Sequence, residues 1–300
     1  MDWVNTLKRL GLLSIVSTLG MKTGIARRFV AGESMEEALQ EVEELNRKGI
    51  LVTLDILGEN VMGKKDTGEV SREYCKLLNE IQKRKLQANI SVKLTHLGLD
   101  YDRTVCIVNM EKILKKAEEG HNFVRIDMEG SRYTQSTLEV FSELWKKHKN
   151  LGVVIQSMLR RSCEDIQKLT EAKARIRLVK GAYQEPASIA YQEMGEIRKN
   201  FIRLMEKLVS EGNYPAIATH DDILIQRTQK FAHERGFPKD RFEFQMLYGL
   251  RTRFQEELAR QGYKIRAYVP YGPHWLPYFI RRLQERRENV TFILKNLFKR

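Results

Sequence analysis

The chain has 300 residues, 42% of them hydrophobic and 30% charged, with 52 Lys and Arg against 39 Asp and Glu for a net charge of +13. That is the composition of a globular protein with room for a sizeable core, and no apolar run approaches the roughly 20 residues a membrane-spanning helix needs. Three scattered cysteines, Cys75, Cys106 and Cys163, argue against a disulfide framework and suit a reducing compartment, while the six histidines lack metal-ligand spacing.

In chain order, residues 1–30 carry a net charge of +4 and the apolar groups Trp3, Val4, Leu7 and Leu10. The stretch 8–21 has a basic start and an apolar middle but no small-residue cleavage site, and reads as mature protein. Helical periodicity then predicts a helix over Met35–Lys48, and β-rich runs follow at Leu51–Leu57, Asn89–Leu94, Phe123–Met128, Gly152–Ser157, Arg175–Lys180, Pro215–Thr219, Arg241–Leu247 and Tyr263–Val269. Between them lie helix-period segments at Ser71–Leu86, Thr104–Glu118, Gln135–Lys149, Ser162–Lys173, Ala187–Glu211, Asp222–Arg235 and Leu250–Gln261, several opening on Ser, Thr or Asp. Eight alternating units predict an α/β fold, a (βα)8 TIM-type barrel over residues 50–300 with an N-terminal helical arm over 1–49. The last fifty residues carry a net +8 together with Phe292, Ile293, Leu297 and Phe298. Charged amphipathic ends fit a peripheral contact with an anionic membrane surface, and equally helices that cap the core.

Chemistry in such barrels sits at the carboxyl ends of the strands, which here are polar: Asp55 and Glu59, Lys93, Asp127, Gln156, Arg177 and Lys180, Thr219 and His220, Gln245 and Tyr268. After the eighth strand, Arg281 and Arg282 stand in an aromatic stretch that begins at Tyr268, with Glu285 three and four residues on. Adjacent arginines often belong to a solvated ion-pair face. In this setting they suit a clamp on a carboxylate, to which a guanidinium makes two parallel bonds. Gly181 lacks the companions of a P-loop or dinucleotide fingerprint, so a phosphate-bearing cofactor would rest on Lys180, Gly181, Thr219, His220 and loop amides.

Nine runs in order carry a resemblance: Arg28-Phe-Val-Ala-Gly-Glu33, Leu54-Asp-Ile-Leu-Gly-Glu59, Ser91-Val-Lys-Leu94, Arg125-Ile-Asp-Met-Glu129, Arg177-Leu-Val-Lys-Gly-Ala-Tyr183, Ala218-Thr-His-Asp221, Glu243-Phe-Gln-Met-Leu247, Arg266-Ala-Tyr268 and Tyr278-Phe-Ile-Arg-Arg-Leu-Gln-Glu285. The chain resembles the proline dehydrogenase family over nearly its whole length, and the length is that of the monofunctional bacterial form. The resemblance implies an FAD-dependent enzyme that oxidises L-proline to Δ1-pyrroline-5-carboxylate, the first step of proline catabolism to glutamate, by hydride transfer to flavin N5. Electrons would pass to a membrane quinone, from a cytoplasmic protein peripheral on the inner face of the membrane. No metal and no nucleic acid is implied.

Carried over residue by residue, Lys93, Arg281 and Arg282 would clamp the substrate carboxylate, and Tyr268, Leu247 and Tyr183 would pack against the ring. Tyr278 would crowd substrate C4 and disfavour hydroxyproline. Asp127 would be the active-site aspartate that orients Lys93 and neighbouring donors, and Arg177 the catalytic cation beside flavin N5. Met128, Gln156, Val179, Lys180, Gly181, Thr219 and His220 would line FAD. Glu285 would brace the clamp and border the cofactor, and Glu59 would close a lid by pairing with Arg281. One departure is Gln156-Ser157-Met158, where relatives often carry Gln-Ala-Tyr. Two other readings are a flavin barrel of the methylenetetrahydrofolate reductase type, against which the arginine pair argues, and a non-catalytic basic barrel, which would be colourless.

Overall fold

The computed structural model describes residues 26–58 and 63–284. After a short 3-10 turn at Ala26–Arg28 come α1 (Met35–Arg47), β1 (Leu51–Ile56), α2 (Lys64–Lys83), β2 (Ala88–Val92), α3 (Arg103–Glu119), β3 (Val124–Ile126), α4 (Ser131–Trp145) and β4 (Leu151–Gln156). The second half continues through α5 (Ser162–Glu171), β5 (Arg175–Val179), α6 (Met194–Glu211), β6 (Ala216–Ala218), α7 (Asp222–Glu234), β7 (Glu243–Leu247), α8 (Thr252–Arg260), β8 (Lys264–Tyr271) and α9 (Trp275–Gln284). The strands pair in parallel and in sequence order, and β1 meets β8 from Leu51↔Arg266 to Ile56↔Tyr271, which closes the barrel. All eight predicted strands form.

Because side chains alternate along a strand, each strand sends one set outward and one inward. The outward set is apolar. Val52 and Leu54, Ile90 and Val92, Val124 and Ile126, and Ile176 and Leu178 are each 0–1% exposed and share one core with the helices. Leu39, Val42 and Leu45 of α1 belong to that same core. Much of the inward set is polar or charged: Asp55, Ser91 and Lys93, Arg125 and Asp127, Arg177, and Glu243 and Gln245 are buried, and Arg266 is half-buried. A barrel interior more often holds branched apolar residues. Here ion pairs and hydrogen bonds fill it.

Local chemistry explains several helix boundaries. Ser34 and Glu37 form a reciprocal capping box at α1, Asp102 accepts from the Thr104 amide at 2.6 Å to open α3, and Asp221 accepts from the Ile223 amide at 3.2 Å to open α7. Helix α2 begins seven residues before the predicted Ser71, because it runs through Gly68, which a propensity reading treats as a break. Helix α6 begins at Met194 and not at Ala187, since Ala190 is held in a bridge to Leu159 within a small cluster of Met158, Leu159, Ala190 and Ile197. Among the described residues no helix is long and apolar enough to cross a membrane. The charged ends proposed for membrane contact lie outside the described residues, apart from Ala26 to Val30 and 251–284.

Candidate active site

Five side chains from five strands converge inside the carboxyl end of the barrel. Lys93, just past β2, donates to Asp55 of β1 at 2.6 Å and lies 3.4 Å from the Tyr268 hydroxyl of β8. Asp127, just past β3, accepts from Arg177 of β5 at 2.6 Å and from Ser91 at 2.7 Å on one oxygen, and from Tyr268 at 2.7 Å on the other. The Arg177 guanidinium also stands 5.4 Å from the centre of the Tyr268 ring. Asp55 is the nearer carboxylate to Lys93, while Asp127 lies 3.9 Å from that ammonium and also takes Arg177 and Tyr268.

Burial pushes the Asp127 carboxyl up, but Arg177 and Lys93 outweigh it and hold the group below its usual range. Burial also pushes Asp55 up, and there Lys93 only partly offsets burial and the repulsion from Asp127. Burial, followed by the two carboxylates, raises the Tyr268 phenol well above its usual value and keeps it a neutral donor. Arg177 is 4% exposed, and its Nε and Nη2 meet no acceptor among the described residues. A buried guanidinium with two unmet donors, aimed among strand ends, suits an electron-rich polar ring edge.

The remaining strand ends form the wall beside this network. Gln156 donates to the Glu129 carbonyl at 3.0 Å, and Glu129 in turn accepts from the Thr95 hydroxyl at 2.6 Å. Met128 is buried, and Val179 half-buried with its carbonyl accepting from the Ser157 amide. Lys180 reaches Asp221 at 3.1 Å, which also accepts from Arg198 at 2.8 Å. Gly181 has φ +115°, and a Cβ there would collide with Met158. Thr219 accepts from the Asp221 amide, while His220 Nε2 accepts from the Leu247 amide at 3.0 Å and so carries no proton on that nitrogen. Tyr183 packs against the cluster of Met158, Leu159 and Ala190, and Leu247 against the seat of α9.

Helix α9 rests on a second apolar cluster of Phe29, Val30, Leu57, Leu250, Trp275, Tyr278 and Phe279. Phe279 meets Phe29 edge-on at 5.9 Å and Trp275 at 5.6 Å, and Trp275 Nε1 donates to Glu33 at 3.0 Å. The Arg282 guanidinium lies 5.2 Å from the Tyr278 ring centre. Arg281 is on α9, but its side chain lies outside the described residues, as do Glu59 and Glu285.

The proline dehydrogenase family model matches residues 38–295. Proline dehydrogenase 1 of Bacillus subtilis (strain 168) is 40% identical over 289 residues, covering 96% of this chain and 95% of that protein. The chain belongs to the proline dehydrogenase family. Proline dehydrogenase of Deinococcus radiodurans is 38% identical over 280 residues, covering 92% of this chain and 90% of that protein. The crystal structure of proline utilization A from Bdellovibrio bacteriovorus, inactivated by N-propargylglycine, superimposes with a TM-score of 0.82 at 28% identity. It covers 88% of this chain, which spans 33% of that longer one. Within this proline dehydrogenase barrel, Asp55 and Ser91 are the site residues that sequence reasoning left without a role. The signal was present in the two-residue period of β1 and β2, which turns Asp55, Ser91 and Lys93 to one interior.

Proposed function

We propose that this member of the proline dehydrogenase family oxidises L-proline to Δ1-pyrroline-5-carboxylate with FAD as its cofactor and a membrane quinone as the onward electron acceptor. The observation that carries this reading is the buried network of Asp55, Lys93, Tyr268, Asp127 and Arg177 at the carboxyl end of the barrel, with two donors of Arg177 unmet by the described residues. FAD, when bound, would supply the two-electron acceptor for a hydride lost from C5 of the substrate. Loss of that hydride and of a proton from the ring nitrogen leaves a C5=N bond.

The chain's own residues bind and orient. Arg177 would present its free donors to the flavin, and its fixed charge, neutralised on one side only by Asp127, favours the electron-rich reduced ring. Gln156, Met128, Val179, Lys180, Gly181, Thr219, His220 and Glu285 would hold the cofactor; the missing Cβ at Gly181 leaves room for the Met158 side chain beside it. Lys93, Arg281 and Arg282 would clamp the substrate carboxylate, since three cations around one small anion fix its direction as well as its affinity. Asp55 would set the Lys93 ammonium in place. Tyr268, Leu247 and Tyr183 would border the ring, Tyr278 would limit bulk at C4, and Glu59 would close the site against water through Arg281. The charged amphipathic ends would bring a cytoplasmic protein to the inner membrane face, where the quinone lies.

Arg282→Met and Arg281→Met test the clamp. Each should weaken apparent proline affinity by about tenfold or more, in line with loss of a charge-assisted pair. Unchanged affinity in both would overturn the assignment.

A further inference from the structure

At the opposite mouth of the barrel, where the strands begin, lies a cavity of about 470 Å³ lined by Arg125, Arg175, Arg266, Lys85, Glu243 and Tyr214, among others. Its charges do not balance. Glu243 is already committed: it accepts from Arg266 at 2.8 and 3.0 Å, from Tyr214 at 3.2 Å, and from Gln245. Arg125 is 3% exposed, yet its described partners are the carbonyls of Arg175 and Val153, at 2.7 and 3.5 Å, and its Nε meets no acceptor among the described residues. Burial, with repulsion from Arg177, Arg266 and Arg175, outweighs the attraction of Glu243 and pulls the Arg125 guanidinium well below its usual basicity. A buried guanidinium with no carboxylate hydrogen-bonded to it among the described residues, and only the shared charge of Glu243 nearby, is costly, and an anion in the cavity would relieve it. The Phe123 ring, 4.8 Å from the Arg125 guanidinium and 5.2 Å from that of Arg175, makes a common wall for the two.

The backbone around the cavity gives a second, independent observation. Turns entering a strand from the preceding helix use glycine with positive φ at Gly49, Gly236 and Gly262, as a left-handed residue favours. At the corresponding turns before β2, β3 and β6 stand Lys85, His121 and Tyr214, with φ of 54°, 50° and 46°. All three line the cavity. Of the described non-glycine residues in this conformation at this mouth, only Lys173 does not. Three side chains stand where the backbone favours glycine, and they line the cationic cavity.

We infer that this mouth binds a small doubly charged oxyanion of the phosphate or dicarboxylate class, held by Arg125, Arg175 and Lys85 and separate from the substrate site. The site lies at the far end of the barrel from Lys93, so binding does not depend on the reaction proposed above. The test is calorimetric titration of the full-length, FAD-loaded protein with sodium phosphate and, separately, sodium succinate, at ionic strength held constant with sodium chloride. Saturable one-to-one binding of either probe is expected, and which one binds tells the two classes apart. Arg175→Met should weaken it by about tenfold. Lys85→Glu, at an exposed position that leaves the core untouched, should weaken it several-fold and carries the test if Arg175→Met does not fold. Saturating L-proline should leave the titration unchanged. Absence of saturable binding by both probes, loss of binding in the presence of proline, or wild-type binding by the folded variants would each overturn the inference.

Discussion

Arg177 shares one carboxylate oxygen of Asp127 with Ser91, and that arrangement leaves its other donors for a partner. Arg177→Met should therefore yield protein that retains flavin poorly and whose remaining flavin has a lower reduction potential. The potential is the informative readout, because mere loss of packing would not shift it in one direction. Asp55 makes a separate prediction. Asp55→Asn removes the charge that holds Lys93 at 2.6 Å, and should raise KM for proline by about tenfold with a smaller change in kcat, the pattern of lost positioning. His96 titrates with the fold. Burial, followed by repulsion from Lys93 and His274, brings its pKa down to about 4 from 6.5. The unfolded chain thus binds the proton more readily. Stability due to neutral His96 is fully present above pH 6.5 and is lost as pH falls toward 4, on the order of 3 kcal/mol in all. Chemical denaturation between pH 7 and 4 should show this slope, and His96→Asn should flatten it by about one proton. At this scale the sequence revealed Lys93, Asp127 and Arg177 as a set, through their places at strand ends. It did not reveal which carboxylate serves which cation, since that depends on stagger between strands: the β1–β2 register sets Asp55 opposite Ser91, and so beside Lys93 two positions on.

Strand and helix patterns were the most legible level. Each strand carries an apolar outward set, and most turn polar residues inward, so the eight runs were visible as elements and their strand-end residues as site candidates. What the pattern missed lies where tertiary contacts override local preference. Gly68 sits inside α2, and the segment from Tyr183 to Glu193 is pinned by the Leu159–Ala190 bridge and not wound into α6. The seat of α9 was also hidden, because Phe29 and Phe279 are 250 residues apart and meet only in the fold. That seat has a consequence for function. Gly249 has φ +71°, and a Cβ there would collide with the Arg28 carbonyl, so Gly249→Ala should displace the segment under α9. The expected outcome is weaker proline binding with flavin retained, measured as a raised KM alongside an unchanged flavin-to-protein ratio.

Across the whole molecule, closure of β1 on β8 makes the barrel one cooperative body, and its two mouths differ in chemistry. The carboxyl end gathers paired charges and unmet donors; the amino end gathers surplus cations around a cavity. Net charge of +4 and +8 at the chain ends predicts binding to anionic vesicles that weakens as salt rises, which co-sedimentation at low and high ionic strength would check. No binding at low salt would reject that contact. The overall fold was legible because eight apolar periods close into one architecture, whereas the polar filling of the barrel became evident only once those periods were wound into register. The central claim is that this filling presents a flavin and a proline to each other. Anaerobic titration of the purified protein with L-proline, followed by the visible flavin absorbance, tests it most directly. Progressive bleaching that saturates with proline is predicted; a colourless protein, or a yellow one whose spectrum proline leaves unchanged, would contradict it.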